Sequence, residues 1–138
     1  MQSYVAGLTR HHLRLGFLVH RRPLSRADLY EYLDGCDGVA ADVTLLSVAD
    51  RRATRGARAD ESIEDHLDLA REVIGEALDW HASGHPRPPL RGDELAAALG
   101  LDPGPLLGEL LAAVTEAQFT GVVVTRADAI AYAASHIP

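Results

Sequence analysis

Arginine carries the clearest chemistry in this chain. Arg10 and Arg14 stand four residues apart, as do Arg51 and Arg55, and Arg52 and Arg58 extend the second group. Residues four apart on a helix share a face. Two such pairs on neighbouring helices would align guanidinium groups, whose forked N–H donors grip phosphate oxygens. The competing reading is a solvated face neutralised by Asp42, Asp60 and Glu61. A second chemistry is offered further on, where Gly92 and Gly104 each stand at an expected helix start. Helix starts present free N–H groups and a positive dipole end, which suit a phosphate. Two of them close together would hold a nucleic-acid backbone without reading bases. A well-capped helical hairpin that binds nothing has the same pattern.

Other chemistries are poorly served. The sequence has no Asp-x-Asp pair to hold two metals around a triphosphate, no Gly-x-x-x-x-Gly-Lys phosphate loop and no Gly-x-Ser-x-Gly elbow. His11 and His12 are adjacent, so they face different sides of a helix; one is expected buried and hydrogen-bonded, the other exposed. His20, His66, His81, His85 and His136 show no ligand spacing and read as surface or packing residues. No catalytic residue is assigned.

Helices must position these groups. Apolar residues at Tyr4, Val5, Leu8, Leu15 and Leu18 predict a helix over 2–19, ended by Arg21-Arg22-Pro23. Ser25 and Asp28 form a capping box before a short helix facing inward through Leu29, Tyr32 and Leu33. A third helix, roughly 39–55, presents Val39, Val43, Leu46 and Ala49 or Ala53. Ser62 with Asp65 predicts the start of a long helix to about Ala82, with Ile63, Leu67, Ala70, Ile74, Ala77 and Leu78 inward. His85-Pro86-Arg87-Pro88-Pro89 is a stiff linker and the best internal boundary. A helix from Asp93 to Leu99 follows, then one from Pro103 to about Ala117 with Asp102 as N-cap. In it Leu107, Leu110 or Leu111 should be core. Val122–Val124 suits a short extended segment, and Thr125 with Asp128 caps a final helix. The expected fold is all-α: a helical bundle of about six to seven helices with a C-terminal helical hairpin module.

Composition bounds the partners. Of 138 residues 47% are hydrophobic, with Ala and Leu dominant, which favours helices. No apolar run approaches the roughly 20 residues that span a bilayer, and no secretion signal is visible, so no membrane partner is expected. Cys36 is the only cysteine, which excludes an internal disulfide and suits a reducing cytoplasm. The net charge of −7 is uneven: residues 1–58 hold nine Arg against six acidic residues, and residues 59–138 four against fourteen. An acidic chain makes only local contacts with nucleic acid, and the first half is the better place for them.

The wording of two regions goes further. Arg91-Gly92-Asp93-Glu94-Leu95, Leu99-Gly100-Leu101, Pro103-Gly104-Pro105, Gly108, Glu116-Ala117-Gln118 and Gly121 resemble the C-terminal helical region of bacterial tRNA nucleotidyltransferases and poly(A) polymerases. Thr9 to Gly16 and Ser47 to Gly56 resemble the later half of an HD domain, which some of these enzymes carry. The resemblance places Asp50, in Leu46-Ser47-Val48-Ala49-Asp50-Arg51, at the final metal-ligating Asp of HD hydrolases. The His and His-Asp pair that would complete that site have no counterpart.

The resemblance divides the chain into an HD-like remnant (1–58), a long helix with Pro-rich linker (59–89) and an RNA-binding-type module (90–138). It implies a C-terminal RNA-positioning fragment of a CCA-adding or poly(A)-adding enzyme, without the catalytic head. Arg10, Arg14, Arg51, Arg55, Arg91, Gly92 and Gly104 would hold RNA phosphate, and Asp50 is the one metal candidate. The chain itself would need no cofactor; the full-length family enzyme implies Mg²⁺ and a nucleoside triphosphate. Expected partners are the 3′ region of tRNA or other RNA and the missing head. Two other readings stay open: an HD-type metal phosphohydrolase remnant, and a helical interaction domain that pairs with a second copy of itself.

Overall fold

The computed structural model describes residues 2–56 and 59–138. They form α1 (Gln2–His11), α2 (Arg14–Leu18), a 3₁₀ turn (Val19–Arg21), α3 (Arg26–Gly35), α4 (Ala40–Ala53), α5 (Ala59–Ser83), α6 (Gly92–Leu99), α7 (Pro105–Phe119) and α8 (Arg126–Ala134). The fold is all-α, and no strand occurs among the described residues. Every expected helix is present, the first divided at His12–Leu13 into α1 and α2. Among the described residues no helix is long and apolar enough to cross a membrane. The chain separates into two compact units, Met1–His85 and Pro86–Pro138. Arg58 lies outside the described residues.

In the first unit α4 and α5 pack along each other, and α2 and α3 also lie on α5. The Ser25–Asp28 capping box opens α3: the Asp28 N–H donates to Ser25 Oγ at 3.1 Å and the Ser25 N–H to Asp28 Oδ2 at 2.9 Å. The inward faces of α4 and α5 differ from the apolar count. On α4 the buried residues are Ala40, Val43, Thr44 and Ser47, while Leu45 and Leu46 face water. On α5 the buried stripe is His66, Leu69, Ala70, Val73, Ala77 and Trp80, and Leu78 is exposed. Polar side chains hold the inner positions because each finds a partner there. Thr44 Oγ1 donates to the Ala40 carbonyl at 2.8 Å and accepts from the Tyr32 hydroxyl at 2.8 Å. Ser47 Oγ and His66 Nε2 meet at 2.8 Å. A satisfied polar pair is cheap to bury, so it can displace leucine from the inner face.

Helix α5 begins at Ala59, a full turn before the Ser62 expected to cap it. Asp60 and Glu61 supply the negative charge that its first turn favours.

The second unit is built from α6, α7 and α8 around Leu90, Leu95, Leu107, Leu110, Val114, Val123, Ala129 and Ala133. Leu107 and Leu110 are buried as expected, with Leu111 partly so. Helix α7 starts at Pro105, not Pro103, with Gly104 rather than Asp102 as N-cap. Proline forces the preceding residue out of helical conformation, and Gly104 is extended at φ 176° and ψ −177°. Both hairpin helices end on glycine: Gly100 at φ 65° lets Leu101 N–H reach the Ala96 carbonyl, and Gly121 at φ 81° lets Val122 N–H reach that of Ala117. The left-handed conformation is cheap only for glycine. Thr125 and Asp128 cap α8 reciprocally.

Candidate functional site

Arg10 lies in the last turn of α1 and Arg14 begins α2, with the turn at His12–Leu13 between them. Arg10 is exposed. Arg14 is held: its Nε donates to His11 Nδ1 at 3.0 Å, and its guanidinium lies so close to α3 that a Cβ at Gly35 would fall 2.2 Å from it. Beside it Cys36 is fully buried, and burial pushes its thiol up to about 11. Burial, followed by Arg14 and Arg10, holds His11 below the usual histidine range.

Arg55 turns back on its own helix end, donating to the carbonyls of Arg52 and Thr54 at 3.1 Å each. Arg21, Arg22 and Arg26 are engaged by carboxylates: Asp28 and Glu31, Glu72, and Glu76 respectively. Arg51 is half-buried and, among the described residues, has no carboxylate within ion-pair distance. Asp50 is exposed on α4. Among the described residues no three His, Cys, Asp or Glu side chains converge around a point suited to a metal.

Arg51 instead joins residues that sequence reasoning had set aside. It borders a cleft of about 270 Å³ with Gly16 and His20 on one side and Glu61, Asp65 and His66 of α5 on the other. His66 is only 2% exposed, and its Nδ1 is buried with no hydrogen-bond partner. Burial, followed by the charge of Arg51, lowers its pKa, against a smaller pull upward from Asp50. The one signal that could have found His66 is its spacing, three and four residues before Leu69 and Ala70 on the buried stripe of α5.

In the second unit the two helix starts differ. At α6 the Arg91 N–H donates to Glu94 Oε2 at 2.7 Å, and the Arg91 guanidinium pairs with Asp93 at 2.6 Å. Glu94 also pairs with Arg126. The Arg91 N–H, followed by Arg126, holds the Glu94 carboxyl below its usual range. This end already carries two carboxylates. Gly92 has a packing reason of its own, since a Cβ there would meet Leu111 Cδ1 at 3.1 Å. Helix α7 has no acidic residue in its first turn and no side-chain cap, and a Cβ at Gly104 would point into open space.

No family model and no solved structure matches the chain. Two curated proteins do. A CC-adding tRNA nucleotidyltransferase of Thermus thermophilus is 36% identical over 128 residues, which is 93% of this chain and 26% of that protein. An A-adding tRNA nucleotidyltransferase of Deinococcus radiodurans is 41% identical over 91 residues, 66% of this chain and 21% of that protein. The chain thus spans about a quarter or less of the length of these relatives. It is homologous to a C-terminal segment of the tRNA nucleotidyltransferases.

Proposed function

We propose that this chain places RNA and performs no chemistry, as a C-terminal part of a tRNA nucleotidyltransferase-like protein. The observation that carries the reading is similarity over 93% of the chain to a CC-adding enzyme. Nucleotide transfer requires paired carboxylates and two metals around a triphosphate. The sequence has no Asp-x-Asp, and among the described residues no three ligating side chains converge. The residues present therefore do not fit the Mg²⁺ and nucleoside triphosphate of the family reaction, and a separate head would have to hold them. Asp50 and its helical context belong to the reading as an HD-domain remnant that has kept one ligand position. The lone buried Cys36 fits a cytoplasmic home.

RNA contact would be backbone contact. Arg51, with its guanidinium free of carboxylates, and the start of α7, free of acidic residues, are the stronger candidates. Arg10 adds exposed charge. Arg14, Arg55 and Arg91 are engaged within the protein and would have to exchange partners to reach phosphate. Few phosphates would be neutralised, so affinity should be modest and its salt slope shallow.

The test is titration of tRNA against the purified chain at two salt concentrations, beside incorporation assays with labelled tRNA, CTP and ATP. Weak, salt-sensitive binding without incorporation is expected. Repeated turnover above a heat-killed control would overturn the non-catalytic reading. Absence of binding at low salt, with a concentration-dependent dimer, would transfer the assignment to an interaction domain.

A further inference from the structure

We propose that the cleft between α2, α4 and α5 binds a ribose phosphate group, with Arg51 on the phosphate and Glu61 and Asp65 on the sugar hydroxyls. The inference rests on the RNA reading for its biological source but on the cleft's own chemistry for its ligand. Three observations carry it. First, the cleft of about 270 Å³ is below the usual range for drug-sized ligands and suits a sugar phosphate. Second, Arg51 reaches its edge without an ion-pair partner among the described residues, while Arg21, Arg22 and Arg26 are paired with carboxylates. A half-buried guanidinium with no carboxylate is a ready hydrogen-bond donor to phosphate oxygens. Third, His66 lines the same cleft at 2% exposure with a ring nitrogen that lacks a partner. Buried polar atoms without a protein partner are commonly completed by a ligand or water.

The two carboxylates decide the ligand class. Glu61 and Asp65 are four apart on one face of α5 and border the cleft with Arg51. They would repel a bare phosphate. They accept hydrogen bonds from hydroxyl groups, and a carboxylate on ribose hydroxyls is a recurring way of holding a nucleotide. A ligand with a phosphate at one end and hydroxyls at the other satisfies both halves of the cleft, whereas inorganic phosphate satisfies one and opposes the other. RNA and free ribonucleotides both offer this group, and the 2′-hydroxyl is what DNA lacks.

Gly16 keeps the cleft open. A Cβ there would stand 3.8 Å from His66 Cε1, an ordinary contact, so the backbone tolerates a side chain. A longer side chain at this helical position would enter the cleft.

The experiment uses the full chain and follows ¹⁵N-labelled histidine signals during titration with ribose 5-phosphate and, separately, inorganic phosphate. Ribose 5-phosphate should bind more tightly and shift the His66 ring signals. Arg51→Gln should weaken it about tenfold or more. The double variant Glu61→Ala/Asp65→Ala should remove the preference over inorganic phosphate by tightening the latter and weakening the former. Gly16→Leu, shown folded by circular dichroism, should abolish both. Equal binding of the two ligands by the unmodified chain, or binding that survives Gly16→Leu, would overturn the proposal, as would no binding at millimolar concentration. A parallel arm compares short RNA and DNA strands of one sequence. RNA binding untouched by these variants would leave the RNA reading standing while this cleft fails. Ribose phosphate binding without RNA binding would do the reverse and point to a free nucleotide.

Discussion

Helices α4 and α7 are both about four turns long and both carry leucines and alanines, yet they bury different kinds of residue. Helix α7 buries Leu107, Leu110, Val114, Thr115 and Ala117, an inner face that simple apolar periodicity finds. Helix α4 buries Ala40, Val43, Thr44 and Ser47 and leaves Leu45 and Leu46 in water. The difference lies in what each helix meets. Helix α7 faces the leucines and alanines of α6 and α8, which offer no hydrogen bond. Helix α4 faces Tyr32 and His66, which offer one each. An inner face can be chosen by polar partners as well as by apolar area, and then leucine counts mislead.

The largest expected effect tests the apolar half of this contrast. Leu110→Ala should cost about 2–5 kcal/mol, the usual range for a buried leucine, because Leu110 is 3% exposed in the core of the second unit. Leu46→Ala, on an exposed position of α4, should change stability by no more than about 0.5 kcal/mol. Thermal or denaturant melting of the two variants measures the contrast directly. Equal losses would mean that Leu46 is packed and that the inner face of α4 has been assigned to the wrong side.

The polar half is tested by Ser47→Ala. It removes the one hydrogen-bond partner the His66 ring has among the described residues, since Nδ1 is unpaired there. Leaving a buried polar group unsatisfied costs about 1–3 kcal/mol. Adding His66→Phe should recover part of that loss, because replacing both partners by apolar groups removes the stranded donor or acceptor. A double-mutant cycle in denaturant that gives additive losses would show that the pair is not coupled.

These particulars explain what could be read from the chain. The helices were legible because capping pairs such as Ser25 with Asp28 and Thr125 with Asp128 act within three residues, and because Gly100 and Gly121 end helices for local steric reasons. The core of the second unit was legible because it is almost wholly apolar. The start of α7 was missed by two residues where two prolines competed, and it was the constraint of Pro105 on Gly104 that decided. The cleft around His66 was illegible, since Gly16, Arg51 and His66 come from three helices and no spacing rule joins them.

The two units should also respond differently to acid. His11 and His66 in the first unit have folded pKa values below the ordinary 6.5. Below pH 6.5 the unfolded chain therefore binds more protons than the folded one, and stability falls as pH is lowered through that range. In the second unit Glu94 and Asp128 are held below 4.5 and 3.8 by hydrogen bonds at helix starts. Their contribution is present above those ordinary values and is lost as pH falls further. Amide hydrogen exchange between pH 7 and 4 should show loosening of α2 and α5 beginning near pH 6, before α6 and α8 change. Simultaneous loosening would indicate that the buried histidines are not the acid-sensitive element.

The smallest expected effect on stability belongs to Gly104, and it separates fold from function within one unit. Gly92 and Gly104 are both helix-start glycines, but a Cβ meets Leu111 at 3.1 Å at the first and nothing within 4 Å at the second. Gly92→Val should therefore strain the packing of α6 on α7, whereas Gly104→Val should fold as well as the original. The extended backbone of Gly104 suits a β-branched residue, so its stability should stay within about 0.5 kcal/mol. If RNA phosphate approaches the bare N–H groups at the start of α7, an isopropyl group at Gly104 stands in the way and tRNA affinity should fall while melting does not move. Equal tRNA affinity in a fully folded Gly104→Val variant would remove this helix start from the RNA surface and leave the arginines of the first unit as its basis.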